Sequence, residues 1–305
     1  MTDHVSASYR AQEQVYEAYS KDGDKAAHAA AWLQPGTINH WRFDRMYKLV
    51  EPLLAHAPGA KWLTVGDGRY GLDAQYLIAH GAQALPTDIS DTLLIEAKKA
   101  RLIETFRKEN AESLSFADGS FDYVFCKESY HHFPQPMKAL YEMLRVARQA
   151  VVMIEPNDQT IVPDGVAVLS RMLKDIVKRL LGRPIHYHNF ETSGNYAYAI
   201  SRREMEKVAL GMGMHVMAIR GINDYYLPGV EFEPIDPANR LFRKVARKIA
   251  RFDFLCKIGI SQPGLLAVVL FKQPPTAGLR ADLVRQGFRL VDLPRNPYLE
   301  ADPLP

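Results

Sequence analysis

Trp62-Leu-Thr-Val-Gly-Asp-Gly-Arg-Tyr-Gly-Leu-Asp-Ala74 is the stretch on which the fold turns. Residues 62–65 read as a short buried strand, and a helix begins near Leu72. Between them, glycines fall at Gly66, Gly68 and Gly71, in the spacing G-x-G-x-x-G. Without a Cβ, such a turn lets a ligand come close to the backbone. The helix N-terminus beyond it offers unpaired N–H groups and a partial positive charge. The spacing alone is formally a dinucleotide fingerprint, although tight strand–helix joints without a ligand share it.

Working outward, a βα alternation starts at residue 60. Strands are predicted over 62–65, 82–87, 105–109, 121–126 and 150–154, with helices over 72–80, 91–100 and 136–146. Near-continuous apolar strands separated by helices predict a parallel sheet covered on both faces. The rhythm breaks after Pro156 and resumes at Ser201-Arg-Arg-Glu204, a capping box that opens a helix. Strands at 215–220 and 264–271 follow, and the tail over 281–298 is read as one more helix and strand. Residues 1–58 read as an aromatic-rich helical cap. Residues 59–275 form the α/β domain, with insertions at 157–200 and 222–260, and 276–305 is a C-terminal tail.

Three further signals fall where a doubly wound sheet binds ligands, outside the carboxyl ends of its strands. Asp88 ends the second strand about 20 residues after the first glycine, where a carboxylate can accept hydrogen bonds from a ribose diol. The segment Asn110-Ala-Glu-Ser-Leu-Ser-Phe-Ala-Asp-Gly-Ser-Phe-Asp122 leads into the fourth strand. That strand is followed by Lys127-Glu-Ser-Tyr-His-His-Phe133, a loop dense in titratable groups.

With these residues in place, the run 61–156 resembles the class I S-adenosylmethionine-dependent methyltransferases, in the branch that acts on quinones, sterols and small molecules or sugars. The matching motifs are the glycine turn, the acidic end of the second strand, Asn110-Ala111-Glu112, Leu114-Ser115-Phe116, Asp118, Ser120-Phe121-Asp122 and His131-His132-Phe133. The resemblance implies a doubly wound, Rossmann-like, seven-stranded α/β sheet, with an antiparallel strand 7 between strands 5 and 6. It implies S-adenosylmethionine as cofactor. Gly66, Asp67 and Gly68 would pass under its methionine portion and ribose, with Gly71 completing the turn. Asp88 would hold the ribose hydroxyls, Ile89 would pack on the adenine, and Asn110, Ala111 and Glu112 would flank it. Lys127 and Glu128 would line the floor beneath the sulfonium. The chain departs from the family in three places. Thr64 stands where an acid is usual, the glycine turn has one extra residue, and Asn110 replaces an acid.

Methyl transfer asks the protein mainly for alignment and desolvation. A hydroxyl acceptor would also need a general base, and His is suited to that near neutral pH. His131, His132 and Glu128 are the candidate catalytic side chains, with Glu155 placed to orient a histidine and with His186 and His188 reaching in from the first insertion. Plain loop histidines are the competing reading. No metal is expected, since the acidic and histidine spacing matches no tight metal motif. Two other functions stay open. The literal glycine spacing suits an NAD(P)-dependent oxidoreductase, although no Tyr-x-x-x-Lys pair stands in the expected place. Thr64 and Asn110 suit a methyltransferase-fold binding protein without catalysis.

The 305-residue chain is 47% hydrophobic and 24% charged, with net charge +3 and two cysteines. That composition is ordinary for a globular protein and gives no global nucleic-acid footprint or disulfide scaffold. A cytoplasmic protein is expected, with no nucleic-acid partner and an acceptor that is a small molecule or glycan, lipid-linked or not. Two basic amphipathic helices, over 168–183 and 239–252, suggest peripheral contact with an anionic membrane. A solvated surface helix is the commoner use of that pattern.

Overall fold

The computed structural model describes residues 2–159, 165–182, 190 and 195–298. His186 and His188 lie outside the described residues. The chain opens with α1 (Thr2–Lys21), α2 (Gly23–Ala31), α3 (Ile38–Tyr47), a single 3₁₀ turn over Lys48–Val50 and α4 (Glu51–His56). The alternating part follows as β1 (Lys61–Val65), α5 (Leu72–Ala79), β2 (Gln83–Asp88), α6 (Thr92–Lys99), β3 (Arg107–Lys108), β4 (Phe121–Lys127), α7 (Pro136–Val146) and β5 (Ala147–Pro156). Then come α8 (Gly165–Leu180), α9 (Arg202–Gly211), β6 (Val216–Ile222), α10 (Arg240–Lys257), β7 (Leu265–Phe271), α11 (Ala277–Arg285) and β8 (Arg289–Asp292).

The strands form one sheet in the order β3-β2-β1-β4-β5-β7-β6-β8. β1 to β5 are parallel, and β7 runs antiparallel between β5 and β6. To the seven strands of the resemblance the tail adds an eighth, as its sequence suggested. β8 pairs antiparallel with β6, Val216 lying opposite Asp292 and Ile219 opposite Arg289. An edge strand presents unpaired N–H and C=O groups. The tail satisfies those of β6, and Thr276 caps the helix that delivers it by accepting from Leu279 N–H.

Strand alternation sorts the core into two layers. Leu63, Val65, Val124, Cys126, Val151 and Met153 pack toward α7 and α9, against Leu140, Met143, Leu144, Met205 and Val208. Trp62, Tyr123, Phe125, Val152 and Ile154 pack toward α4, α5 and α11, against Leu53, Leu77 and Leu283. Burial on both faces explains why β5 and β7 read as unbroken apolar runs. The capping box at Ser201 closes in both directions. Ser201 Oγ accepts from Glu204 N–H, and the Glu204 carboxylate accepts from Ser201 N–H.

Topology brings the insertions to one edge. β5 ends at Pro156 and β6 at Ile222, and both residues lie opposite Leu265 of β7. The chain therefore leaves the sheet twice at the same level, at the edge where β1, β2 and β4 also end. No described helix is long and apolar enough to cross a membrane.

Candidate functional site

A cleft of about 830 Å³, part of it open to solvent, lies over the carboxyl ends of β1, β2 and β4. Ligand clefts commonly enclose ~300–1,000 Å³. Of the expected site residues, Gly66, Asp67, Asp88, Ile89, Asn110, Ala111, Lys127, Glu128 and His132 line it. Gly68, Gly71, Glu112 and His131 are not among the residues that line it.

The glycine turn is tight because the chain passes close to itself. Gly66 has φ +77°, and a Cβ there would collide with Ser129 Cβ and Oγ. Ser129 Oγ donates to Gly66 O at 2.7 Å, tying the turn to the loop after β4. At Gly68 a Cβ would come within 2.7 Å of both Asp88 Oδ2 and the Tyr16 ring. Gly71, with φ +68°, leads into α5 and offers that helix no side-chain cap.

Asp67 supplies the missing cap. It accepts from Asp73 N–H at 3.1 Å, from Ala74 N–H at 2.9 Å and from Thr64 Oγ1 at 2.8 Å. The Asp73 and Ala74 N–H groups are first-turn donors of α5 that would otherwise lack partners. The absence of an acid at Thr64 is thus matched by a carboxylate three residues on, bonded to the Thr64 hydroxyl. Burial, with Asp73 nearby, pushes the Asp67 carboxyl well above its usual range.

Asp88 sits at the end of β2 and accepts from Gly68 N–H at 2.9 Å and Ser90 N–H at 2.8 Å. Burial raises its pKa to about 6, against the lowering effect of the Ser90, Gly68 and Ile89 N–H groups. Asn110 Oδ1 accepts from Glu112 N–H at 2.9 Å and from Tyr9 Oη at 3.2 Å. Glu112 Oε1 accepts from Gln135 N–H at the start of α7, and its carboxylate also meets the Tyr9 hydroxyl.

The floor carries charge. Lys127 Nζ pairs with Asp73 Oδ1 at 3.3 Å and lies 4.5 Å from the Phe43 ring centroid and 5.1 Å from that of Tyr47. Tyr47 Oη donates to Asp73 at 2.7 Å. Glu128 adopts φ +50°, rare for a residue with a side chain. Burial works against its charge, yet Lys127, Arg69, His131 and Arg42 hold its carboxyl below the usual value.

Glu155, fully buried at the end of β5, organises the histidine loop. Its Oε1 accepts from Ser129 N–H at 2.9 Å and Tyr130 N–H at 3.0 Å, while Oε2 lies 2.8 Å from His131 Nδ1. The His131 and His132 rings sit 4.0 Å apart, centroid to centroid. Among the described residues, no group of three or more His, Cys, Asp or Glu could hold a metal ion.

The opposite wall comes from α1, which contributes Ser8, Tyr9, Gln12 and Tyr16 to the lining. The aromatic N-terminus, Tyr9 and Tyr16 included, is readable as a lid over an acceptor, but no strand-end motif marks which face of α1 meets the cleft. A signal was present: Ser8, Gln12 and Tyr16 recur every four residues, and Tyr9 and Tyr16 lie seven apart, so they share one helix face. Lys108 to Glu13 (2.7 Å), together with Ser8 to Asn195, anchors the helix across the cleft.

Residues 63–154, the strand-end wall and its sheet, match the family described as a methyltransferase domain. This segment carries the methyltransferase-domain match. The chain is also similar to demethylmenaquinone methyltransferase of Renibacterium salmoninarum, with 30% identity over 160 residues, 51% of this chain and 65% of that enzyme. It therefore spans less than two thirds of that relative's length. Among solved structures, the [4+2]-cyclase SpnF aligns with 18% identity and a TM-score of 0.48, over 80% of this chain and 86% of that one. Magnesium protoporphyrin IX methyltransferase from Synechocystis, with bound S-adenosylhomocysteine, aligns with 16% identity and a TM-score of 0.45, over 71% and 94%. Within the domain, a carboxylate at the β2 end beside apolar Ile89 and Ala111 fits a nucleoside, since one recognises a diol and the others a flat base.

Proposed function

We propose that the protein is an S-adenosylmethionine-dependent methyltransferase that methylates a hydroxyl of a sugar, a polysaccharide precursor or another small molecule. The methyltransferase-domain match over 63–154 supports the cofactor class. The Glu155–His131 pair carries the choice of a hydroxyl acceptor.

S-adenosylmethionine, when bound, supplies a methyl group already activated on a sulfonium. Asp88 would hold the ribose hydroxyls, and Ile89 and Ala111 would flank the adenine. Lys127 and Glu128 would border the reacting end of the cleft. Were Nδ1–H directed at Glu155, His131 would present Nε2 as its proton-accepting atom. The buried carboxylate orients the ring and stabilises the imidazolium formed when an acceptor hydroxyl gives up its proton. His132, in the lining, would position that hydroxyl. The α1 wall would keep water from the reacting atoms.

Two measurements test the reading. Calorimetry with S-adenosylhomocysteine is expected to show one site, and absence of heat would remove the cofactor assignment. Nicotinamide fluorescence on mixing is expected to stay unchanged, and an enhancement would favour an oxidoreductase. Turnover is then followed by mass spectrometry on a panel of sugar, polysaccharide-precursor and quinone acceptors. The similarity to demethylmenaquinone methyltransferase favours a second reading, an aromatic quinone-type acceptor. A methyl gain confined to quinones would decide for it.

A further inference from the structure

We propose that α8 is an interfacial helix that docks the protein on an anionic bilayer, with the cleft edge of the sheet facing the lipid. Its apolar side chains come two per turn, at Val168-Leu169, Met172-Leu173 and Ile176-Val177, ending at Leu180-Leu181. All of them are exposed, Leu173 by 54%, Ile176 by 49% and Leu180 by 80%. A contiguous apolar arc of this kind marks a surface that something else covers.

Charge identifies the occupant. The helix holds four cations, Arg171, Lys174, Lys178 and Arg179, against the single carboxylate Asp175. Lys178 and Arg179 are exposed. A protein–protein interface core is depleted of lysine, whereas a helix lying in a membrane interface combines an apolar arc with a lysine- and arginine-rich face. α10 adds to the same field. It leaves the sheet at the level of α8's insertion, and Asn157 joins the two by donating to Pro263 O at 2.9 Å. Its Val245 and Ile249 are buried against Ile38 and Val230, so its apolar stripe is already used. Arg240, Arg243, Lys244, Arg247 and Arg251 form no ion pair among the described residues, and Phe254 and Ile258 are exposed at its end. A negatively charged headgroup layer complements both helices, and the α8 arc has the depth to enter the acyl boundary.

The test is flotation of the full-length protein with vesicles of phosphatidylcholine alone and of phosphatidylcholine with phosphatidylglycerol. Wild type should float with the anionic vesicles only, and added salt should weaken the association. Leu173→Glu/Ile176→Glu should reduce partitioning by more than about tenfold, and Lys178→Glu/Arg179→Glu by about tenfold. Both variants should melt as wild type does, because the substituted side chains are exposed. The proposal is overturned if wild type ignores anionic vesicles or if the Leu173/Ile176 variant binds them as well as wild type. A wild-type dimer that this variant converts to monomer, without vesicle binding, would assign the face to a second copy of the chain.

Discussion

One wall of the cleft is made of strand ends and the other of a helix that arrives from the N-terminus. The strand-end wall is held by the sheet itself. Asp88, Glu128 and Glu155 stand at or just past the ends of the parallel strands β2, β4 and β5, and backbone N–H groups fix the Asp88 and Glu155 carboxylates. The helical wall is held by side-chain contacts, among them Tyr9 to Asn110, Lys108 to Glu13 and the packing of Tyr16 and Tyr19 on the cluster of Leu93, Leu94 and Ile103. Damage to the first wall should therefore reach folding or chemistry. Damage to the second should alter access and leave the fold intact, since local opening favours regions with few buried contacts.

The harshest test of the first wall is Gly66→Ala. A Cβ at φ +77° must also displace Ser129, whose own Cβ blocks the space. A loss of about 3 kcal/mol or more is expected, seen as a melting temperature lower by at least ~6 °C. An unchanged melting curve would mean that the turn is looser than its geometry.

Glu155→Gln comes next. The amide keeps an acceptor for Ser129 and Tyr130 N–H but removes the charge opposite His131. A kcat lower by about 100-fold with little change in KM is expected. Equal loss from both parameters would make Glu155 a structural residue only.

Asp88→Ala should weaken S-adenosylhomocysteine by about 30-fold in calorimetry, the range of a lost charge-assisted hydrogen bond. Its pH behaviour separates binding from folding. Burial raises the folded pKa to about 6, above the unfolded value near 4. Between those values the folded state binds more protons, so this group's contribution to stability grows as pH falls and is lost as pH rises through about 6. The charged form is the better acceptor for ribose hydroxyls, so wild-type affinity should fall below pH ~6, by at most about tenfold per unit. Flat affinity from pH 7 to 5 would remove Asp88 from the binding site.

The mildest effect belongs to the helical wall. Tyr16→Ala removes the ring that covers Gly68 beside Asp88. Dissociation of S-adenosylhomocysteine should quicken about threefold, with folding stability within about 1 kcal/mol of wild type. A large drop in melting temperature would show that α1 is part of the folding core and that the two walls do not differ as described.

The two basic helices show how far pattern reading reaches. Both amphipathic segments are evident from spacing, and both form helices. Asn239 caps α10 by accepting from Leu241 and Phe242 N–H. Which one spends its apolar face on the protein was not readable, because Ile38 and Val230, which cover Val245 and Ile249, lie elsewhere in the chain. Asp67 carries the same lesson at the site. Its position in a glycine turn suggested a ligand contact, yet its oxygens serve the start of α5, a use visible only once the turn is folded back on the helix.

Sequence alone determined the βα alternation, the glycine turn, the acidic end of β2 and an apolar strand at 264–271. All are written in local periodicity and in the few residue types a turn or strand end tolerates, whereas the antiparallel run of that strand was implied only by the family resemblance. The tertiary structure decided the rest. The tail strand found its partner in the open edge of β6, α1 became a wall of the cleft through contacts with Asn110 and Asn195, and Glu155, read as placed to orient a histidine, met His131. Those outcomes join residues from 24 to 187 positions apart. No local pattern encodes such distances, because the partners meet only when the packed sheet has closed them together.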